Sequence, residues 1–428
     1  MSPFNLQTCA RPNILALDPY RCARDDYKDD GKNILLDANE NAYGPALAAD
    51  AVPVTGSGPG SSPGSDPATL DLLGLHRYPD PHQQTLKQLL CDLRTTHAHT
   101  PKTLSPANLF VGVGSDEAID ALLRCFCVPG RDKLLVCPPT YGMYSVSAQA
   151  NDVSLVRVPL LPAPTFALDT PSILAALSAD PSIKLAYLCS PGNPTGSLLS
   201  KSSIAQILAH PTWNGLVVID EAYIDFSSPE SSLAEWVTEF PNLVVLQTLS
   251  KAFGLAGIRL GAAFADPAVA ALLNNLKAPY NISSPTSALA SLALSDSGLA
   301  IMRRNVALLN RQRDRLVAEL PKIKGVGRLR GGTDSNFLLY EMLNDKGEAD
   351  NTTALAVYER LAEEKGVVVR FRGREHGCLG CLRITVGTEE EVTRFLGALE
   401  RTLKEVRGEG QVPADEEEKE VAANAVVA

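Results

Sequence analysis

The chain has 428 residues, 45% of them hydrophobic and 21% charged, with a formal net charge of −10 at neutral pH. That length exceeds a single compact core and predicts two domains, or one large domain with a smaller lobe. The acidic balance argues against nucleic acid or an anionic membrane as partner, since both reward a basic surface. At the N-terminal end, Asp25, Asp26, Asp29 and Asp30 speak against a transit peptide, and no basic region precedes an apolar one. No apolar stretch reaches the roughly 20 residues of a membrane-spanning helix. A cytoplasmic protein with no membrane partner is the expectation.

In chain order, the first strand-like piece is "NILLDANENAYGP" (33–45), followed at 52–67 by the Pro/Gly/Ser-rich "VPVTGSGPGSSPGSDP", a flexible surface insertion by composition. A regular pattern begins near residue 70. "NLFVGVG" (108–114) reads as a short strand ending in glycines. "SDEAIDALLRCFC" (115–127) follows with helical spacing and acids in its first turn. Further strands are expected at "DKLLVCPP" (132–139), "IKLAYLCSPGNPTG" (183–196), "GLVVIDEAYIDF" (215–226) and "NLVVLQTLSK" (242–251). Their apolar runs are continuous rather than alternating, and helices separate several of them. This predicts an α/β domain whose mainly parallel sheet is covered on both faces. A helical region through "RRNVALLNRQRDRLVAEL" (303–320) then leads to a smaller α+β lobe with "NFLLYEM" (336–342), "GVVVRFRG" (366–373) and "CLRITVG" (381–387). The expected organisation is an N-terminal arm and small-domain segment (1–69), a large domain (70–300), a small domain (301–408) and a disordered acidic tail (409–428).

Nine cysteines, an odd number set in apolar runs such as "RCFCV" (124–128), read as buried free thiols. "CLGC" (378–381) has metal or redox spacing, but zinc needs a second pair that the neighbourhood lacks. "HAH" (97–99) sits in a Thr-rich loop with no acid beside it and reads as solvated. No metal site is expected.

Polar residues gather where the strands end, which is the ligand-binding edge of an open α/β sheet. Gly112, Gly114, Ser115 and Asp116 stand at a strand-to-helix turn, either a simple corner or a phosphate site built from freed N–H groups. Tyr141 in "PPTYGMY" could cover a flat ligand or pack at the core edge. "SPGNPTG" (190–196) fixes a rigid turn that leaves the Asn193 amide able to donate. Asp220 follows a buried run and needs a cationic or protonated partner, with a structural salt bridge as the plainer alternative. Lys251, in a largely apolar pocket, should have a lowered pKa and be nucleophilic toward aldehydes, an effect that Arg259 reinforces. A lysine for an aldehyde, an acid for a pyridinium nitrogen, polar groups for a phenolic oxygen, and glycines with an arginine for a phosphate together make the inventory of a pyridoxal 5′-phosphate site.

"SPGNPTG", "VIDEAYIDF" and "TLSKAFGLAGIRLG" together resemble the fold-type I pyridoxal-phosphate enzymes, the aspartate-aminotransferase fold family. "LDANENAYGP", "RYPD" (77–80), "VGVGSDEAID" and "CLRITVGT" (381–388) are similar to the histidinol-phosphate aminotransferases within it. The likeness leaves out only the first ~30 residues, the insertion and the tail. It implies that Lys251 holds the cofactor aldehyde and, once displaced by the substrate amine, moves the proton. It implies that Asp220 keeps the ring nitrogen protonated, that Asn193 and Tyr223 bond the ring hydroxyl oxygen, and that Tyr141 stacks on the ring. Gly114, Ser115, Asp116, Ser250 and Arg259 would hold the cofactor phosphate, with Tyr78 from a partner subunit, making a homodimer with shared sites. Substrate would fall to Arg370, Arg383, Tyr43 and Asn39, and for Arg370 a solvated strand end with Arg372 and Arg374 is the alternative. The implied reaction converts histidinol phosphate and 2-oxoglutarate to imidazole acetol phosphate and glutamate, in histidine biosynthesis. An aromatic aminotransferase or a phosphothreonine decarboxylase would share these cofactor motifs. A non-catalytic binding protein on the same fold is the reading from another class.

Overall fold

The computed structural model describes residues 33–48 and 75–408. The segment at 52–67 and the tail from 409 therefore lie outside the described residues. In chain order the large sheet is built from β2 (Leu109–Val113), β3 (Lys133–Val136), β4 (Ser154–Arg157), β5 (Ile183–Cys189), β6 (Leu216–Asp220), β7 (Leu243–Thr248) and β8 (Leu260–Ala265), after a two-residue β1 (Ile34–Leu35). The spatial order is β2–β8–β7–β6–β5–β3–β4. The pairs from β7 through β4 are parallel, and β8 runs antiparallel to both of its neighbours. The expected mainly parallel sheet of an α/β fold is what the chain forms.

Continuous apolar runs make sense here because both faces are covered. Along β6, Val217 and Ile219 join one buried layer while Leu216 and Val218 join the other. Each such side chain contributes about 1.5–3 kcal/mol when fully buried. One covering helix, Gly114–Phe126, turns Ala118, Ile119, Leu122 and Leu123 inward and carries Asp116 and Glu117 in its first turn, where acids suit the helix dipole.

Two strands of the large sheet were not apparent in the sequence, nor was the strand Val326–Leu329 of the smaller lobe. β4 is a short, half-exposed edge strand. β8, "LGAAFA", is fully buried but four of its six residues are Gly or Ala, which have weak strand preference, so tertiary packing decides its conformation.

Beyond the long helix Asp296–Glu319 lies a four-stranded antiparallel sheet. It comprises β9 (Val326–Leu329), β10 (Phe337–Met342), β12 (Arg370–Phe371) and β13 (Cys381–Thr385), in the order β12–β13–β10–β9. Between β10 and β12, β11 (Val367–Val368) pairs in parallel with β1 through Ile34↔Val367 and Leu35↔Val368. The N-terminal segment is thus tied to the C-terminal lobe across more than 300 positions of sequence. The segment then runs on to the lysine turn: the Ala46 N–H donates to the Phe253 carbonyl at 2.8 Å, and the Asn41 side chain donates to the Ala252 carbonyl at 2.9 Å. Gly254, at φ 64°, lies so close to Gly44 that any Cβ would fall on that residue's carbonyl oxygen.

Among the described residues no helix is long and apolar enough to cross a membrane, and no cluster of His, Cys, Asp and Glu is arranged to hold a metal. Cys378 and Cys381 are buried free thiols, and burial pushes the Cys378 thiol up to about 12. His97 and His99 make backbone contacts instead, to the carbonyls of Thr100 and Glu230.

Candidate active site

The C-terminal ends of β5, β6 and β7 are adjacent, with Cys189 opposite Asp220 and Asp220 opposite Leu246. They open into a cavity of about 290 Å³. Its walls come from the strand ends and the residues just beyond them, the first turn of the helix Gly114–Phe126, Tyr141, the segment Asp37–Glu40, and Arg370, Arg372 and Arg383 of the small lobe.

Lys251 follows β7 in a turn closed by the Gly254 N–H donating to the Lys251 carbonyl at 3.0 Å. Its amine donates to the Ala38 carbonyl at 2.9 Å and lies 5.8 Å from the centre of the Tyr223 ring. Burial, with Arg383 as the next cause, lowers its pKa to about 8. A far larger share of the amine is therefore neutral near physiological pH than in an exposed lysine.

Asp220 is the last residue of β6 and is 3% exposed. One carboxylate oxygen accepts from the Tyr144 hydroxyl at 2.7 Å and the other from the Ala222 N–H at 3.1 Å. Burial raises its pKa to about 6, and the Tyr144 hydrogen bond opposes that rise. No ion pair reaches it among the described residues. A buried carboxylate held this way still calls for a proton-bearing partner.

A hydrogen-bonded chain links Tyr223 to the small sheet. The Tyr223 hydroxyl accepts from the Asn39 amide at 3.0 Å, and Asn39 is fixed in turn by Thr385, whose hydroxyl donates to its side-chain oxygen at 2.9 Å. Burial raises the Tyr223 hydroxyl to about 12, with Arg383 pulling the other way. Arg383, 4% exposed, donates to the Asn193 side-chain oxygen at 2.7 Å and to the Asp37 carbonyl, and lies over the Phe337 ring.

An anion corner forms where the start of the helix Gly114–Phe126 meets Arg259. The Gly114 N–H donates to the Arg259 carbonyl at 3.0 Å, and the Arg259 guanidinium is 3.3 Å from the Asp116 carboxylate, which also accepts from Tyr141 at 3.2 Å. A Cβ on Gly114 would lie 2.5 Å from the Arg259 guanidinium, and one on Gly261 would overlap the Ser115 nitrogen. Only glycines allow the helix start and Arg259 to approach this closely, and the freed N–H groups with the guanidinium suit a phosphate.

Comparison with known proteins agrees with this geometry. Residues 32–399 match the family model "Aminotransferase class I and II". The chain is 51% identical over 407 residues to the histidinol-phosphate aminotransferase of Candida maltosa, covering 94% of this chain and 99% of that protein. It is 47% identical to the Saccharomyces cerevisiae enzyme of that name, over 95% and 100% of the two chains. The chain belongs to the histidinol-phosphate aminotransferase family. Its fold matches that of the Sinorhizobium meliloti histidinol-phosphate aminotransferase solved in complex with pyridoxal-5′-phosphate, with a TM-score of 0.76 at 22% identity over 93% and 98% of the chains.

The cavity collects most of the residues named from sequence: Asn39, Ser115, Asp116, Tyr141, Asn193, Asp220, Tyr223, Ser250, Lys251, Arg259, Arg370 and Arg383 all line it. Gly114 is not among the lining residues, its N–H donating to the Arg259 carbonyl. Tyr43 and Tyr78 do not line the cavity of this chain. Tyr43 is half-buried near Glu389 and Arg311, whereas Tyr78 is 81% exposed and stacks on Tyr280 at 4.6 Å. Sequence reasoning missed Tyr144, although it lies three residues after Tyr141 at the start of the helix Met143–Ala150 and so near it in space. It also missed Thr385 and the backbone of Asp37 and Ala38.

The fit to pyridoxal 5′-phosphate rests on Asp220: a buried carboxylate with two donors and no cation, across a cavity from a lysine of lowered pKa, suits a protonated pyridine nitrogen. Tyr144 then acts through Asp220. Replacing it with phenylalanine removes a hydrogen bond to a charged group, worth about 1.5–3 kcal/mol. The Asp220 carboxyl should titrate higher. Activity that needs the carboxylate should accordingly be lost at a higher pH as acid is added, which a kcat–pH profile of Tyr144→Phe against the unmodified protein checks.

Proposed function

We propose that this chain is a pyridoxal-phosphate-dependent aminotransferase that converts histidinol phosphate and 2-oxoglutarate to imidazole acetol phosphate and glutamate, reversibly. The observation that carries the reading is one cavity that holds Lys251 and Asp220 together with Arg370 and Arg383. Near-full-length relatives named for that activity support the choice of substrate.

When bound, pyridoxal 5′-phosphate supplies an aldehyde and an electron-withdrawing ring through which an amino group passes between two substrates. The chain's own residues do the rest. The Lys251 amine takes and returns the proton at the substrate α-carbon. The Asp220 carboxylate holds a proton on the ring nitrogen. Tyr223, oriented by Asn39, and the Asn193 amide nitrogen fix the ring hydroxyl oxygen, and Tyr141 covers the ring face. The N–H groups of Ser115 and Asp116, with Ser250 and Arg259, hold the cofactor phosphate.

Arg370 and Arg383 stand directly opposite one another on β12 and β13. Two guanidinium forks at facing positions can grip a phosphate ester or a carboxylate bidentately. The outward-facing Tyr78 is assigned to the cofactor phosphate of a second subunit, so the working form is a homodimer, acting in the cytoplasm.

The test is spectroscopic. Histidinol phosphate added to the yellow cofactor-loaded protein should bleach the long-wavelength band in a single turnover, and 2-oxoglutarate should restore it. Faster bleaching by phenylalanine or tyrosine, or release of carbon dioxide from phosphothreonine, would contradict the assignment.

A further inference from the structure

Arg370 is followed two residues later by a second arginine that the reading above leaves without a task. Residues i and i+2 of an extended segment face the same way. Arg372 accordingly lines the cavity together with Arg370, while Phe371 between them joins the hydrophobic core, and Arg374 is exposed. The position is rigid. The Arg372 N–H donates to the Cys381 carbonyl at 2.9 Å, the Glu375 N–H donates to the Arg372 carbonyl at 3.0 Å, and the Asn351 side chain bridges Gly373 and Gly380 at 3.0 and 2.8 Å. This turn holds Glu375 against the guanidinium, with the Arg372 Nη1 to Glu375 Oε1 distance at 2.7 Å. The Arg372 Nε, by contrast, is buried and has no hydrogen-bond partner among the described residues.

The Nε side of a guanidinium is one of the edges that take an oxyanion bidentately. A buried N–H without an acceptor is costly, and an acceptor arriving with the substrate would relieve that cost.

Resting on the function proposed above, we infer that Arg372, oriented by Glu375, is a substrate-specificity residue: a third guanidinium contact for the phosphate ester of the amino donor. Three cationic groups on one ribbon suit a dianion with three terminal oxygens better than a carboxylate with two. Arg372 should therefore weigh on the phosphate-bearing substrate and hardly on glutamate, letting one cavity accept both partners of the exchange while favouring the first.

The cofactor-loaded protein allows the two half-reactions to be followed separately by rapid-mixing spectroscopy, in wild type and in Arg372→Gln, Arg372→Lys and Glu375→Gln. In Arg372→Gln the apparent dissociation constant for histidinol phosphate should rise roughly 10- to 100-fold, the size of one or two lost charge-assisted bonds, with that for glutamate changed less than about threefold. Arg372→Lys, which keeps the charge but loses the fork, should fall between. Glu375→Gln breaks the same ion pair yet leaves the guanidinium, and should stay within about fivefold of wild type, the range of a partly exposed pair. Inorganic phosphate titrated into the same holoenzymes by calorimetry should follow the same order, independent of turnover. Equal losses for both substrates, equal losses in Arg372→Gln and Glu375→Gln, or no loss at all would each overturn the assignment. Failure of the wild type itself to react with histidinol phosphate would instead overturn the functional reading beneath it.

Discussion

Lys251→Ala is expected to abolish turnover, with kcat falling at least about 10⁴-fold, the upper range for a positioned acid–base group. The protein should still fold, because among the described residues the lysine amine makes a single hydrogen bond, to the Ala38 carbonyl, and the turn around it is closed by backbone contacts. It should also still bind the cofactor, since Asp220 and the anion corner remain, but without the long-wavelength band. The lowered pKa gives a second expectation. With a folded-state value of about 8 against an ordinary value near 10.5, the amine becomes neutral about two pH units early. The rate at which cofactor-free protein captures the aldehyde should therefore climb with pH and level off just above pH 8. A rate still climbing beyond pH 10 would mean that the amine sits in open water.

Asp220→Asn is expected to lower kcat by about 10²–10³-fold, the usual cost of losing one preorganised electrostatic contact to the reacting system. The isosteric amide also meets two donors, the Tyr144 hydroxyl and the Ala222 N–H, that were placed for a carboxylate. The same substitution tests the burial of the acid in the cofactor-free protein. With its pKa raised to about 6, the folded state binds an extra proton between roughly pH 4 and pH 6. Asp220 therefore destabilises the fold progressively as pH rises through that window, by on the order of 2–3 kcal/mol in all. The amide variant lacks this term, so its melting temperature should fall less between pH 4 and pH 7 than that of the unmodified protein. Parallel melting curves for the two would contradict a buried, unpaired Asp220.

How much of this was legible in the sequence depends on how local the cause is. Lys251, Asp220 and Asn193 each end or follow an apolar run that forms its own strand, so the position of each could be read within a dozen residues. The parallel sheet was legible for the same reason. Tyr144 was not, because its partner lies 76 residues away and its own surroundings read as a helix start. β8 was missed because its Gly and Ala residues carry little strand preference, and only burial between β2 and β7 makes them extended. The pairing of β1 with β11, which brings Asp37 to Glu40 over the lysine, depends on an encounter that no local pattern announces. Arg372 shows the limit from the other side. The alternation of Arg370 and Arg372 was visible, but that these two of the three arginines face the cavity depends on how β12 pairs with β13.

The central claim is that the cofactor joins the chain at Lys251 and nowhere else. Another buried lysine offers an internal control, since burial also lowers Lys87 to about 8, but its amine bonds Asn274 at 3.0 Å and it lies outside the cavity. Treating the cofactor-loaded protein with borohydride, digesting it and weighing the peptides locates the attachment. A pyridoxyl group on the peptide bearing Lys251 alone is the predicted result. The label on Lys87, on any other lysine, or on none would contradict the account.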